Sequence, residues 1–481
     1  MVAYLRKGFT YGPGWTLLVA SVAAFMTSLD TMVVTTALPT MHAELGGSVG
    51  QLEWTMNAYY LAFACLLITA AGLGDRFGRR KVLVVGLAAF GASSAAAALA
   101  PGLGALIAAR AVQGGAAAAI MPLTLTVISE AYPPQTRGRA IGIWGALLGL
   151  GGVLGPLAGG GLVELVGWRG IFWVNVPIAA VVAVAALIVV SETRGPRHPL
   201  DIRGLVLVSA GCFGLAWGLV RSADHGWGAP EVWVPLVLGA GLVAAFVRAE
   251  HRAAFPMMPT SLFRSRDFST ANGVSLCIYA SLSGSVYLMS QFFQISQHAS
   301  PLVAALRFVP WPAPVLVIAP LAGSWAAKYG NRVLLVVGMG LHTLGMVWFA
   351  LVVDASTPYL ALCGPLVVSG VGIACVFPTV SNAVVSAVAP ERMGIASGVN
   401  GSIRELGGVL GVALAATVFA HGGGYATTAS FAAGFMDAMW ACAALAGLGL
   451  IVALLAAPPR PEPAREAPDG EPELQGARMA A

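Results

Sequence analysis

Residues 72–86 read GLGDRFGRRKVLVVG, and residues 324–338 read SWAAKYGNRVLLVVG. Gly78 of the first stretch aligns with Gly330 of the second, and long apolar runs flank both stretches. A pattern repeated in the same orientation is typical of membrane proteins built from two halves related by an axis along the membrane normal. The repeat therefore predicts two similar helical halves with a binding site between them.

A second pair of stretches extends the repeat. Residues 138–155 read GRAIGIWGALLGLGGVLG, and residues 394–411 read GIASGVNGSIRELGGVLG, with glycines aligned along both. Pro156 follows the first stretch, whereas Val412 follows the second. This difference indicates a role for the proline that is specific to the first half.

The composition indicates a membrane protein of many spans. The chain has 481 residues, of which 58% are hydrophobic and only 10% are charged, against about 25% charged residues in ordinary soluble domains. At about 20 apolar residues per span, the apolar runs predict an all-α polytopic protein with about fourteen transmembrane helices. Two of them, near 204–221 and 232–248, fall between the two repeated six-helix units.

These observations divide the chain into four predicted segments. They are a first six-helix half (1–200), two additional transmembrane helices (201–252), a second six-helix half (253–457) and a disordered tail (458–481). The tail is assigned as disordered because it is rich in Pro, Glu and Ala and has no apolar face.

Charge sets the predicted orientation. Most of the 26 lysines and arginines fall in one set of alternate loops, which the positive-inside rule places in the cytoplasm. The first apolar run follows Arg6 and Lys7 and is too long for a cleavable signal. We therefore expect both termini to be cytoplasmic and the protein to lie in the cytoplasmic (inner) membrane. We also expect it to be a monomer in contact with lipid.

Two charges lie inside apolar segments of the first half. Asp30 lies in SLDTMVVTTALP, and Arg110 lies in RAVQGGAAAAIMP. Placing a charged side chain at the centre of a membrane helix costs about 2.5–3.5 kcal/mol of free energy on insertion scales. A charged residue that is present there despite this cost is therefore a candidate for a functional role. Counting 1.5 Å per residue places both residues at similar depths, which fits either proton coupling or a purely structural ion pair.

A basic loop follows the second apolar run. It contains Asp75, Arg76, Gly78, Arg79 and Arg80 in AGLGDRFGRRK. Gly78 permits a tight turn, and the aspartate is placed to pair with the cations or to cap a helix end in the other half.

The fifth apolar run contains GGVLGPLAGG, with Gly151, Gly155, Pro156, Gly159 and Gly160. Small residues four apart let helices approach closely, and a proline removes a backbone hydrogen bond and bends its helix.

With these motifs the chain resembles the major facilitator superfamily, and within it the fourteen-helix drug:proton antiporters of the EmrB/QacA type. The resemblance implies that the loop from Asp75 to Arg80 gates the conformational switch and that residues 151–160 form the antiporter motif. It also implies that Asp30 couples protons and that Arg110 tunes proton exchange. The loop departs from the family pattern at Ala71, where the family has glycine.

A further pair of charges, Arg404 and Glu405, lies mid-span in the thirteenth predicted helix. Adjacent residues on a helix point about 100° apart, so we expect one side chain to face the central cavity and the other a neighbouring helix. Glu405 is a second candidate for proton coupling or for the substrate's charge, with a structural role as the alternative. His342 is expected to be a satisfied polar group.

The predicted function is proton-coupled export of drugs or other amphipathic small molecules, with cations and neutral antibiotics both open. The alternative is a proton-coupled or facilitative transporter of a specific metabolite. The sequence has no ATP-binding GxxxxGK[ST] motif, no metal-ligand spacing and no nucleophile–base pattern. It therefore predicts no enzyme activity, cofactor or metal, and the net charge of +5 gives no reason to expect nucleic acid.

Overall fold

The computed structural model describes residues 12–195, 201–253, 256, 258, 260–354, 356–388 and 393–456. This part is helical and contains no β-strand. The α-helices of the first half are α1 (Pro13–Leu45), α2 (Val49–Phe77), α3 (Arg79–Ala98), α4 (Leu103–Ala131), α5 (Pro134–Val166), α6 (Gly170–Trp173) and α7 (Asn175–Val189). They are followed by α8 (Ile202–His225) and α9 (Pro230–Glu250).

A 3₁₀ turn at Thr260–Arg264 leads into the remaining helices. These are α10 (Arg266–Ile295), α11 (Pro301–Phe308), α12 (Ala313–Tyr329), α13 (Asn331–Val352), α14 (Tyr359–Ser386), α15 (Met393–Gly422) and α16 (Thr428–Leu454). The tail predicted to be disordered (458–481) lies outside the described residues.

Most of these helices have the length and composition of membrane spans. Within the described residues, twelve helices are long and apolar enough to cross a membrane, and α5 adds a thirteenth if its two arms form one span. In this count α6 and α7 form one span, as do α11 and the first part of α12. The 29-residue helix α2 is not among them. The all-helical membrane fold is confirmed, while the count of fourteen spans stays a prediction.

The helix packing reproduces the sequence repeat. Helix α1 packs against α5 as α10 packs against α15, and α3 packs against α4 as α13 packs against α14. Helix α3 also contacts α7 as α13 contacts α16. Each of these pairs connects repeat-equivalent segments. The exact residues at which the halves begin and end stay a prediction.

The additional helices α8 and α9 pack against each other, and α8 also contacts α2 and α15. Trp54 of α2 lies 5.6 Å from the ring of Trp217 on α8. On the other side, Thr417 of α15 donates a hydrogen bond to the Leu219 carbonyl at 3.1 Å. Helix α8 therefore covers the line where α2 of the first half meets α15 of the second.

The bundle has two ends, which we name the Gly78 end and the Gly46 end after the glycines that follow α2 and α1. At the Gly46 end the halves touch directly. The Gln294 amide donates to the Thr36 carbonyl at 3.0 Å, and the Glu164 carboxylate accepts a bond from the Ser300 hydroxyl at 2.9 Å. His42 and Tyr425 place their ring centroids 4.7 Å apart. These contacts close the Gly46 end.

Candidate functional site

The two charges predicted in the first half form a buried ion pair. Asp30 on α1 and Arg110 on α4 have side chains that are 0% and 1% exposed, and Arg110 Nη1 donates to Asp30 Oδ2 at 2.6 Å. Arg110 also donates to the Gln113 amide oxygen at 2.8 Å and to the Thr55 carbonyl at 3.2 Å. A buried guanidinium needs such partners to offset its lost hydration.

Two polar side chains, one from α4 and one from α7, complete the shell of Asp30. Its Oδ1 accepts bonds from the Gln113 amide at 3.0 Å and from the Asn175 amide at 2.6 Å. Both amides also donate to Ser94 Oγ at 3.2 Å. The aspartate is thus held by donors from α4 and α7, and in this state both of its oxygens are occupied.

The sequence brings these helices together through a glycine and an aromatic ring. A Cβ added at Gly114 of α4 would lie 2.8 Å from the Cα of Tyr59 on α2, so only glycine fits there. The close approach places the Arg110 guanidinium 4.3 Å from the Tyr59 ring centroid. This cation–π contact adds to the hydrogen bonds that hold the arginine.

The predicted gating loop is a second charged network, at the Gly78 end. Asp75 pairs with Arg79 at 2.6 Å, and Arg79 also pairs with Glu130 at the end of α4. The backbone N–H of Arg80 donates to the Glu192 carboxylate at 3.1 Å. Of the two roles predicted for Asp75, the structure shows pairing with the cationic cluster.

Gly78 makes this network possible. Its φ of +113° is a conformation that L side chains rarely adopt. A Cβ at this position would also lie 2.6 Å from a Glu192 carboxylate oxygen. Arg76, in contrast, is exposed and rests over the ring of Phe77 at 5.5 Å.

The glycines of the predicted antiporter motif pack against the helix that carries Asp30. A Cβ at Gly151 would lie 2.7 Å from the Phe25 carbonyl, and one at Gly155 would lie 2.5 Å from Met32 Cβ. Gly159 approaches Val33 and Thr36 in the same way. Gly160 faces the other half instead, where a Cβ would lie 2.5 Å from the Pro301 carbonyl of α11.

Pro156 bends α5 as predicted. The arms Gln135–Gly152 and Leu154–Val166 meet at 41°. The break follows Gly152, whose carbonyl would accept the backbone bond that Pro156 cannot donate. The equivalent helix α15 has Val412 at this position and runs as one helix from Met393 to Gly422.

Glu405 lies in a different place, on α15 of the second half. It is 10% exposed and its carboxylate lies 3.5 Å from Arg404 Nη2. The two side chains therefore reach each other although their directions diverge, because the arginine is long and flexible. The expectation that each faces a different surface stays a prediction.

The second half contains an uncharged counterpart of the Asp30 network. His342 of α13 hydrogen bonds to Ser369 at 2.8 Å through Nδ1 and to Ser281 at 3.1 Å through Nε2. Trp311 N–H donates to Ser369, and Ser281 O–H donates to the Cys442 carbonyl. These directions leave Ser369 to donate to Nδ1 and Ser281 to accept from Nε2–H, so a neutral imidazole satisfies every group.

Sequence reasoning missed several members of these networks. Asn175 and Ser94 were not singled out, and neither were the carboxylates Glu130 and Glu192. Asn175 carries the one available signal, since it is an uncharged polar residue inside the apolar run FWVNVP. The others look like ordinary helix residues and helix-end charges, so only their spatial neighbours reveal them.

Comparison with known proteins agrees with this architecture. A family model described as Major Facilitator Superfamily matches residues 20–412 and 269–479. The chain belongs to the major facilitator superfamily. It is thus a multi-pass membrane transporter whose substrate is a small molecule.

Two relatives in this superfamily have names that describe export of an antibiotic. The chain is 33% identical over 422 residues to the tetracenomycin C resistance and export protein of Streptomyces glaucescens, covering 87% of this chain and 78% of the relative. It is 35% identical over 412 residues to a cephamycin export protein of Amycolatopsis lactamdurans, covering 84% and 85%.

Solved structures agree on the fold. A bacterial homolog of the human lysosomal transporter Spinster, in an inward-facing and occupied conformation, superimposes with a TM-score of 0.67. That match covers 92% of this chain and 96% of the other, at 16% sequence identity. Similarity at this level identifies the superfamily fold, and the fourteen-helix drug:proton antiporter subtype stays a prediction.

Proposed function

We propose that this transporter exports drugs or other amphipathic small molecules across the cytoplasmic membrane in exchange for protons. The exporters among its relatives support the outward direction of transport and the class of substrate. One structural observation supports the coupling. Helix α5 packs its glycines around the turns of α1 next to Asp30 and touches α11 of the second half through Gly160.

Protonation of Asp30 begins the proposed cycle. The carboxylate now accepts bonds from Arg110, Gln113 and Asn175. A proton removes the charge that holds these donors, so α1 is released from α4 and α7. Because the glycine contacts leave no space between α1 and α5, a shift of α1 carries α5 with it.

The shift of α5 breaks the contact between the halves. Gly160 meets Pro301, and Glu164 binds Ser300, at the closed Gly46 end. With both termini in the cytoplasm, the Gly46 end is the extracellular end, and opening it lets the substrate leave. Loss of the proton to the cytoplasm restores the Asp30–Arg110 pair and closes this end again.

The energy source of export gives a direct test. Export measured as efflux of a fluorescent substrate from cells should collapse when an ionophore dissipates the proton gradient. It should continue when ATP is depleted and the gradient is maintained. Uphill export that persists without a proton gradient would contradict antiport.

The proposed orientation gives a second test. Reporter fusions after residues 80, 137, 200 and 460 should report a cytoplasmic location, and fusions after residues 45 and 225 an external one. A reporter active only in the periplasm, paired with one active only in the cytoplasm, makes each site its own control. Reversal at any two sites would reject cytoplasmic termini.

A further inference from the structure

Stacked aromatic rings and a guanidinium meet in the second half, away from the Asp30 network. The ring of Tyr279 on α10 stacks on Phe377 of α14, with centroids 5.2 Å apart and planes at 18°. The Arg404 guanidinium of α15 lies 4.8 Å from the Tyr279 centroid. We name these three residues and Glu405 the Tyr279 cluster.

The cluster lies deep in the bundle and beside the first half. Arg404 is 11 residues from the start of α15, or about 17 Å from the Gly78 end at 1.5 Å per residue. A Cβ at Gly408, one turn beyond Arg404, would lie 3.7 Å from the ring of Tyr60 on α2. The cluster therefore adjoins the contact between the two halves.

The two charged side chains of the cluster differ in their exposure. The Arg404 side chain is 28% exposed, whereas that of Glu405 is 10% exposed. Tyr279 and Phe377 are also partly exposed. Their helices α10 and α14 each pack against several other helices, so these two rings are among the positions that the packing leaves accessible. A ligand that enters between the halves thus meets aromatic rings and a positive charge before it meets the carboxylate.

Arg404 has one buried donor without a partner and one loose contact. Its contact with Glu405 is 3.5 Å long, well beyond the 2.7–2.9 Å typical of a strong charge-assisted bond. Its Nε is buried and has no hydrogen-bond partner. An arginine side chain only donates hydrogen bonds, and a buried donor left without an acceptor is costly.

We propose that the Tyr279 cluster binds planar aromatic substrates that carry a carboxylate or a similar anionic oxygen group. The rings of the substrate stack on the aromatic side chains, and its oxygens accept hydrogen bonds from Arg404. This site deepens the proposed export function, on which it rests, by naming a substrate class. It also makes an anionic group, and not a cationic one, the favoured substituent.

Two probes of equal ring size test the charge preference on the purified full-length protein. Anthracene-9-carboxylate and anthracen-9-ylmethylammonium differ mainly in the sign of their charge, and their fluorescence reports binding in detergent without a proton gradient. Wild type is expected to bind the carboxylate more tightly. Arg404→Gln should weaken carboxylate binding about tenfold, the loss of one charge-assisted bond, and should not weaken ammonium binding, because it removes a positive charge.

Matched variants separate this site from general effects. Arg221→Gln is the control, because Arg221 also lies over an aromatic ring, that of Trp217 at 4.9 Å, but on α8. It should leave both affinities unchanged, and Tyr279→Leu should weaken both probes. Arg404→Lys keeps the charge and should retain part of the carboxylate affinity. If Arg404→Gln fails to fold, the affinity of Arg404→Lys for the carboxylate still tests the site.

Three results would overturn the assignment: tighter ammonium binding by wild type, unchanged carboxylate binding by Arg404→Gln, or an equal loss in Arg221→Gln. Failure here with intact proton-driven export would reject the site alone. A confirmed carboxylate preference without proton-driven export would reject the export proposal and keep the site.

Discussion

Asp30→Asn is expected to abolish proton-coupled export while the protein still reaches the membrane. Asparagine keeps the shape of the side chain but cannot titrate. One of its polar atoms becomes an N–H₂ group, which in either orientation of the amide faces a donor: Arg110 on one side, or the amides of Gln113 and Asn175 on the other. Breaking a buried ion pair costs about 3–5 kcal/mol, so the variant should also unfold at a lower temperature. Asp30→Glu should keep partial activity.

Proton release on substrate addition to purified protein measures the coupling. The double variant Asp30→Asn/Arg110→Gln is the control, since it removes both charges of the pair and should recover thermal stability without recovering proton release. Glu405→Gln is measured beside it. Normal release from Asp30→Asn, together with none from Glu405→Gln, would move the coupling role to the second half.

Gly155→Leu is expected to eliminate export with normal membrane insertion. Even a Cβ at this position would lie 2.5 Å from Met32 Cβ and 3.2 Å from the Leu29 carbonyl. The larger side chain must push α5 away from α1, and overpacking of this kind typically costs about 1–3 kcal/mol. That free energy is enough to disturb the balance between two transport states. Efflux of a fluorescent substrate from cells measures the loss of export.

The same helix offers a matched control. A Cβ at Gly161 meets no atom within 4 Å, so Gly161→Ala should export normally, whereas Gly155→Ala should already be impaired. Membrane yield is measured for all variants. Wild-type export by well-expressed Gly155→Leu would show that the close contact with α1 has no part in transport.

Much of the architecture could be predicted from local patterns. Long apolar runs can only form helices in a membrane, because the backbone must satisfy its own hydrogen bonds there. The repeated stretches 72–86 and 324–338 predicted paired halves, and the packing of α1 on α5 and α10 on α15 follows that repeat. Pro156 predicted a bend, and α5 bends by 41° one turn before it.

The role of α8 could not be read from its composition. Its residues look like those of any lipid-facing span, with Ile202 and Val206 more than half exposed. The contacts of Leu219 with Thr417, and of Trp217 with Trp54, depend on where α2 and α15 lie. Those helices are far from α8 in the sequence and become its neighbours only in the assembled bundle.

The residues that carry charge into the membrane, and the positions that let helices touch, can be read from the sequence, because each is a property of one residue in one apolar run. Asp30, Arg110 and the glycines of α5 are visible in this way. The assembled fold provides their partners, since Asn175 reaches Asp30 across 145 positions of the chain. It also decided that Arg404 is more exposed than Glu405. Accessibility depends on the rotation of α15 against its neighbours, and a linear pattern does not encode that rotation.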